Sequence, residues 1–191
     1  MFGDILKLDA GVRLYEEITQ KEKLKKTLFA KLEDYNTEME QRMNLVFFDD
    51  AMHHILRITR ALRQPRGNIM LIGVGGSGKQ SLTKLSAYMY QIKYRTVEVG
   101  KGFNLEKFRD NIRDIMFATA GVEKEKNLPE PTAFTLTDSQ IVDEAFLEDI
   151  NNILNTGEIP NLMSNENKEK IQNEMRIVVQ EMKKIDTVDE I

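Results

Sequence analysis

Asn68-Ile-Met-Leu-Ile-Gly-Val-Gly-Gly-Ser-Gly-Lys-Gln-Ser-Leu-Thr-Lys84 is the stretch that decides the fold. Its opening, Asn68 to Gly73, is a short apolar run bounded by Gly67 and Gly73, which reads as a strand. Its end opens an amphipathic helix from Ser77 to Tyr90, with Leu82, Leu85, Ala87 and Met89 as the apolar residues. Between them lies Gly73-Val-Gly-Gly-Ser-Gly-Lys79, a G-x-x-x-x-G-K spacing in the strand-to-helix context that a phosphate loop requires. A triphosphate is held by backbone N–H groups brought close around it, and Gly73, Gly75, Gly76 and Gly78 let the chain wrap that tightly. The helix beginning near Ser77 and Gly78 aims its free N–H groups and positive dipole end at the anion. Lys79 adds a charge for the β- and γ-phosphates. The alternative, a tight turn with no ligand, is disfavoured by the spacing and its context. One position departs from the pattern: the residue after the lysine, ordinarily Ser or Thr with its hydroxyl on Mg²⁺, is Gln80, and Ser81 follows it. An amide oxygen also ligates Mg²⁺, but the longer side chain changes the geometry. Binding is therefore expected to survive better than hydrolysis.

Outward from this motif, strand and helix patterns alternate. Arg95-Thr-Val-Glu-Val99 reads as a strand, and Asn104 to Thr119 as a helix carrying Phe108, Ile112, Ile115 and Met116. Thr132-Ala-Phe-Thr-Leu136 reads as a third strand, behind Leu128-Pro-Glu-Pro131. Such alternation implies an α/β fold, a parallel sheet flanked by crossover helices. A helix from Ile141 to Leu154 ends at Asn155-Thr-Gly157, where glycine takes the left-handed C-terminal position. The polar stretch Ser164 to Lys170 leads into a last helix with Ile171, Met175, Val178, Val179 and Met182. Upstream, Leu24, Leu28, Leu32, Tyr35, Met39 and Met43 recur every three or four residues and predict a long helix from Lys21 to Met43. Ala51, Ile55, Ile58 and Leu62 mark a second from Phe48 to Leu62, stopped by Gln64-Pro-Arg-Gly67.

Composition narrows the function classes. The chain has 191 residues, 41% of them apolar and 30% charged, as expected of one globular domain with its own core. A net charge of -4 gives no global attraction to nucleic acid or an anionic membrane. Lys21-Glu-Lys-Leu-Lys-Lys26 looks like a nucleic-acid patch in isolation, but Glu33, Asp34, Glu38 and Glu40 follow, so a solvated helix face is the better reading. Neither nucleic acid nor a membrane is expected as a partner. The absence of cysteine removes disulfides and thiol chemistry. Without the build of a secretory signal at Met1-Phe-Gly-Asp-Ile-Leu-Lys, or an apolar stretch of spanning length, an intracellular, soluble protein is expected. His53 and His54 point to different sides of a helix, which argues against a shared metal site. Arg63 and Arg66 are expected to be solvated.

A second chemical position lies at the end of the third strand, in Thr132-Ala-Phe-Thr-Leu-Thr-Asp138-Ser-Gln140. In ATPases that use two acidic residues there, one carboxylate holds Mg²⁺ and the other orients or deprotonates the attacking water. Here only Asp138 stands at that end, so one role lacks its usual residue. The competing reading makes Asp138 a cap for the helix that follows. Asp143 and Glu144 read as surface charges on that helix.

Gln64-Pro-Arg-Gly-Asn-Ile-Met-Leu-Ile-Gly-Val-Gly-Gly-Ser-Gly-Lys-Gln-Ser-Leu-Thr-Lys84, taken with Phe146-Leu-Glu-Asp-Ile-Asn-Asn-Ile-Leu-Asn-Thr-Gly-Glu-Ile-Pro-Asn-Leu162, resembles the fourth AAA+ module of dynein heavy chains. Asn44-Leu-Val-Phe-Phe48 fits the same family, and Gly-Lys-Gln-Ser is an unusual ending for a phosphate loop. The resemblance implies an AAA+ large subdomain of the P-loop class over residues 44–191, with the helical segment 1–43 leading in from a preceding module. It implies ATP or ADP with Mg²⁺, Gln80 and Asp138 on the metal side, and Asp138 at the catalytic glutamate position with Thr137 at that of the metal-side aspartate. It places Leu45, Val46 and Phe47 against the adenine, with packing between the N-terminal helices as the alternative.

The Thr137-Asp138-Ser-Gln140 form looks more like axonemal than cytoplasmic dyneins. The implied partners are the other AAA+ modules of the same chain, intermediate and light chains, and microtubules through a stalk; the implied place is the cytoskeleton, in a cilium or flagellum axoneme. In the family's sheet order the strand after the acidic one is central, and the chain ends at Ile191 before it and before the sensor residue, arginine finger, small helical domain and stalk. A fragment of a motor is the expectation, with slow or regulatory hydrolysis. A structural nucleotide-binding module without turnover, and a small free-standing P-loop kinase or NTPase, are the alternatives.

Overall fold

Leu24, Leu28, Leu32 and Tyr35 form the buried stripe of helix α1 (Lys21–Glu38) in the structure, a computed structural model that describes residues 1–7, 14–121 and 129–181. Leu128 and Met182 lie outside the described residues. The chain divides into two compact units, Met1–Tyr94 and Arg95–Ile191.

In the first unit, α1 packs with α2 (Asp49–Arg63) and α3 (Lys79–Met89) around Leu24, Leu28, Phe47, Ile55, Ile58 and Leu85. Removing each of these large apolar side chains from water stabilises the unit by roughly 1.5–3 kcal/mol. Helix α1 stops five residues short of the expected Met43. After Met39, which is extended, the Asn36 carboxamide donates to the Met43 carbonyl at 2.8 Å and accepts from its N–H at 2.7 Å. That side chain supplies the backbone of Met43 with the partners a further helical turn would have provided. A short antiparallel pair, β1 (Phe2–Gly3) with β2 (Glu16–Glu17), lies at the N-terminus and buries Ile5 and Ile18 beside it.

The expected phosphate-loop strand is not a strand here. No ladder pairs Asn68 to Gly73 among the described residues, and Met70 and Ile72 are 82% and 89% exposed while only Leu71 packs on the core. An apolar segment becomes a strand through a neighbour that satisfies its N–H and C=O groups, so its apolar character alone did not suffice.

β3 (Lys93–Thr96), whose last two residues open the second unit, pairs with β4 (Thr132–Thr135). Helices α4 (Leu105–Ala120) and α5 (Ala145–Thr156) flank a core in which Phe108 and Phe146 stack at 4.3 Å between centroids, and α6 (Asn165–Glu181) packs on α4. Asn104 caps α4 by accepting from Lys107 N–H, and Gly157 closes α5 in the left-handed conformation. Most of the polar Ser164–Lys170 stretch proves to be the start of α6 itself rather than its lead-in, with Ser164 just before it: Ser164 Oγ accepts from Asn167 N–H at 3.2 Å, and the Ser164 carbonyl accepts from Lys168 N–H at 3.0 Å.

Candidate functional site

The glycine-rich segment forms an open loop that ends where α3 begins. Gly76 and Gly78 take φ of +75° and +80°, a backbone region that side-chain-bearing residues adopt at a cost of about 1–2 kcal/mol. Gly78 serves as N-cap, and α3 has no side-chain cap at all. Its first-turn N–H groups are thus left for an anion, and the helix dipole favours negative charge there. The ammonium of Lys79 folds back over the loop, donating to Gly73 O at 2.7 Å, Val74 O at 2.9 Å and Ser77 Oγ at 3.3 Å. Nothing stands within 4 Å of a Cβ built on Gly75, Gly76 or Gly78, whereas one on Gly73 would meet Ser77 Oγ at 3.2 Å and the Lys79 ammonium at 3.8 Å. Gln80 is exposed and Ser81 half-buried on the first turn of α3.

The segment entering α2 carries the residues expected against a base. Leu45 packs on the first unit's core, Val46 is 73% exposed, and Phe47 is buried with its ring edge-on to Phe29 at 4.9 Å. Phe47 therefore belongs to the packing between α1 and α2, and the apolar surface open to a ligand is that of Val46, with Phe48 exposed beside it.

In the second unit, β4 runs into a single tight helical turn, Asp138–Gln140. Thr137 caps it in a reciprocal box with Gln140, whose Oε1 accepts from Thr137 N–H at 2.8 Å. Asp138 is exposed on this turn and does not cap α5. Asp143, read from the sequence as a surface charge on the helix, stands before it and accepts from Ala145 N–H at 2.9 Å. Glu144 likewise precedes α5.

Two buried ionic contacts escaped the sequence reading. Asp4, only 5% exposed, pairs with Arg63 and accepts from Tyr90 Oη at 2.5 Å, while Arg63 stacks over the Tyr90 ring. This group joins the N-terminal segment to the ends of α2 and α3 and corrects the expectation of a solvated Arg63. Asp149 on α5, 1% exposed, accepts from Arg109 Nε at 2.7 Å and from an Arg109 terminal nitrogen at 2.9 Å. The Asp149 hydrogen bond raises the Arg109 pKa further above its ordinary value, against the opposing effect of burial. The signal for both was a charged residue within an otherwise apolar neighbourhood, which sequence spacing does not distinguish from a surface charge.

His53 and His54 are both exposed on α2. No helix of the described residues is long and apolar enough to cross a membrane.

A family model described as P-loop containing dynein motor region D4 matches residues 43–191. The chain is 44% identical over 173 residues to dynein axonemal heavy chain 6 of Homo sapiens, covering 90% of this chain. It is 42% identical over 181 residues to dynein axonemal heavy chain 1 of Rattus norvegicus, covering 95%. Against the dynein-1-beta heavy chain of the flagellar inner arm I1 complex of Chlamydomonas reinhardtii it is 40% identical over 176 residues, covering 92%. The chain spans 4% of the length of each of these relatives. With the family model matching residues 43–191, most of its length, the chain belongs to the P-loop-containing dynein motor region D4 family.

Proposed function

We propose that this chain is the nucleotide-binding part of a fourth AAA+ module in an axonemal dynein heavy chain, taking ATP or ADP with Mg²⁺ and contributing slow or regulatory hydrolysis to microtubule-based movement. The observation that carries this reading is the Lys79 ammonium held inside its own glycine loop at the uncapped start of α3. Residues 44–191 would form the P-loop domain, with 1–43 leading into it. Gly73, Gly75, Gly76, Ser77, Gly78, Lys79 and Ser81 would hold the phosphates, and Leu45 and Val46 the base. Gln80 and Asp138 both offer oxygen donors, the class that a hard cation such as Mg²⁺ takes. Magnesium would supply charge neutralisation at the phosphates; Asp138, a carboxylate without an acidic neighbour, would orient or deprotonate water. The partners proposed are the remaining AAA+ modules, intermediate and light chains, and microtubules, in the axoneme of a cilium or flagellum.

A second reading, a structural module that binds nucleotide without turning it over, draws on the single carboxylate of the turn and on Gln80 in place of a hydroxyl residue. Steady-state ATP turnover of the full-length heavy chain carrying Lys79→Ala, set against the unaltered chain, separates the two. A lower rate supports slow hydrolysis here, while an equal rate with loss of one bound nucleotide supports the structural module. Equal rates together with unchanged nucleotide stoichiometry would refute both.

A further inference from the structure

We propose that Gln140 is a positioning residue whose carboxamide fastens the turn carrying Asp138 to the end of strand β3. Its oxygen accepts twice, from Thr137 N–H at 2.8 Å and from Thr137 Oγ1 at 3.0 Å. Its nitrogen donates twice, to Thr96 Oγ1 at 2.9 Å and to the Val97 carbonyl at 2.6 Å. A primary amide has two donor hydrogens and an oxygen with two lone pairs, and here all four are used. The orientation is therefore unique. Turning the amide over would set its NH₂ against Thr137 N–H and its oxygen against the Val97 carbonyl, donor to donor and acceptor to acceptor.

The far end of this latch is rigid. Val97 is 1% exposed and belongs to the core formed with Phe108, Ile112 and Phe146. The near end is Thr137, the residue before Asp138, whose hydroxyl also lies 3.1 Å from Ser139 Oγ. The Thr137 hydroxyl is thus engaged in closing the turn, and the geometry of Asp138 depends on a side chain two residues further on. Without the latch the turn would keep its own backbone bonds, Gln140 N–H to Thr137 O at 2.9 Å and Ile141 N–H to Asp138 O at 3.1 Å, and the local contacts of the Thr137 hydroxyl, but nothing that ties it to β3. An exposed carboxylate held by so little would sample many positions, and water activation needs one of them.

The proposal rests on the reading of Asp138 given above, and its test keeps the two apart. In the full-length heavy chain, turnover belonging to this module is the difference between the unaltered chain and Lys79→Ala. Gln140→Ala should lower that difference about tenfold with KM within about twofold, and speed hydrogen exchange at Thr137 N–H about tenfold, since loss of a modest net hydrogen bond has that size. Gln140→Glu keeps an acceptor for Thr137 but cannot donate to the Val97 carbonyl. It should hold the Thr137 amide near its unaltered protection while turnover falls as in Gln140→Ala. Unchanged exchange in Gln140→Ala, normal turnover in Gln140→Glu, or a fall in turnover matched by an equal loss of nucleotide affinity would each overturn the assignment. Should Lys79→Ala leave turnover unaltered, the hydrolytic reading of Asp138 fails, and the exchange comparison still decides whether Gln140 fastens the turn.

Discussion

The phosphate loop and the acidic turn both lead toward a helix, yet they are held by opposite means. The loop is shaped by backbone: two glycines at positive φ, an uncapped helix start, and a lysine bonded to the carbonyls of its own turn. The turn is shaped by side chains, Thr137 and Gln140 closing a reciprocal cap while Gln140 reaches across to β3. A backbone-built site depends on a few residues close in sequence. A side-chain-built site depends on partners far away, here on residues more than forty positions earlier. The first should tolerate changes in the surrounding core better than the second.

The largest expected effect tests that difference directly. Phe146→Ala removes a fully buried ring stacked on Phe108 and should cost about 3–5 kcal/mol of stability in the second unit, read by denaturant titration of the complete module. Exchange protection at Thr137 should fall with it while nucleotide affinity at the loop changes only slightly; equal loss at both sites would erase the contrast. Lys79→Ala comes next and should weaken ATP binding by on the order of 2 kcal/mol, measured by calorimetry, because a charge-assisted contact to phosphate is removed. If affinity is unaltered, the loop is not the phosphate site.

Gly78→Ala should cost about 1–2 kcal/mol, because φ is +80° there although nothing crowds the position. Its thermal shift should therefore persist without nucleotide. Asp138→Asn is expected to leave stability and ATP affinity nearly unaltered and to lower this module's turnover, the pattern of a group needed only for reaction. Collapse of binding with turnover intact would reverse the roles.

A further test concerns the loop's own helix. Burial, with help from a hydrogen bond to Glu38, pushes the Tyr88 phenol up to about 12. The unfolded chain would lose that proton near pH 10. The contribution of Tyr88 is therefore intact below pH 10 and is lost as the pH rises from there toward 12. Unfolding of the first unit followed by amide exchange should show this loss, and Tyr88→Phe should remove it; an identical pH profile in the variant would exclude Tyr88 as the source.

Much of the helical framework was legible because its signal is local. The stripe Leu24, Leu28, Leu32 and Tyr35 on α1, and Ala51, Ile55 and Ile58 on α2, follow the helical period and are buried. The loop was legible for the same reason, since its spacing lies within seven residues. The pairing state of Asn68 to Gly73 was not, because apolar character says nothing about whether a neighbour meets the edge. Neither were Asp4 with Arg63 and Tyr90, separated by 59 and 86 positions, nor Gln140 with Thr96. Phe47 and Val46 are adjacent and similarly apolar, yet one is in the core and the other faces out, a choice that apolar character alone does not make.

The posture of Lys79 sets what any affinity measurement on this loop will mean. An ammonium carries three hydrogens, and the loop already offers three oxygens to receive them, from Gly73, Val74 and Ser77. On the proposed reading, an arriving phosphate would compete for a cation that has company, and binding would be an exchange of partners rather than the filling of an empty hand. The measured free energy would then be the difference between the contacts Lys79 makes to phosphate and those it makes to its own loop. The same contacts set the carbonyl dipoles of Gly73 and Val74 against a positive charge, which gives the glycine turn one defined shape.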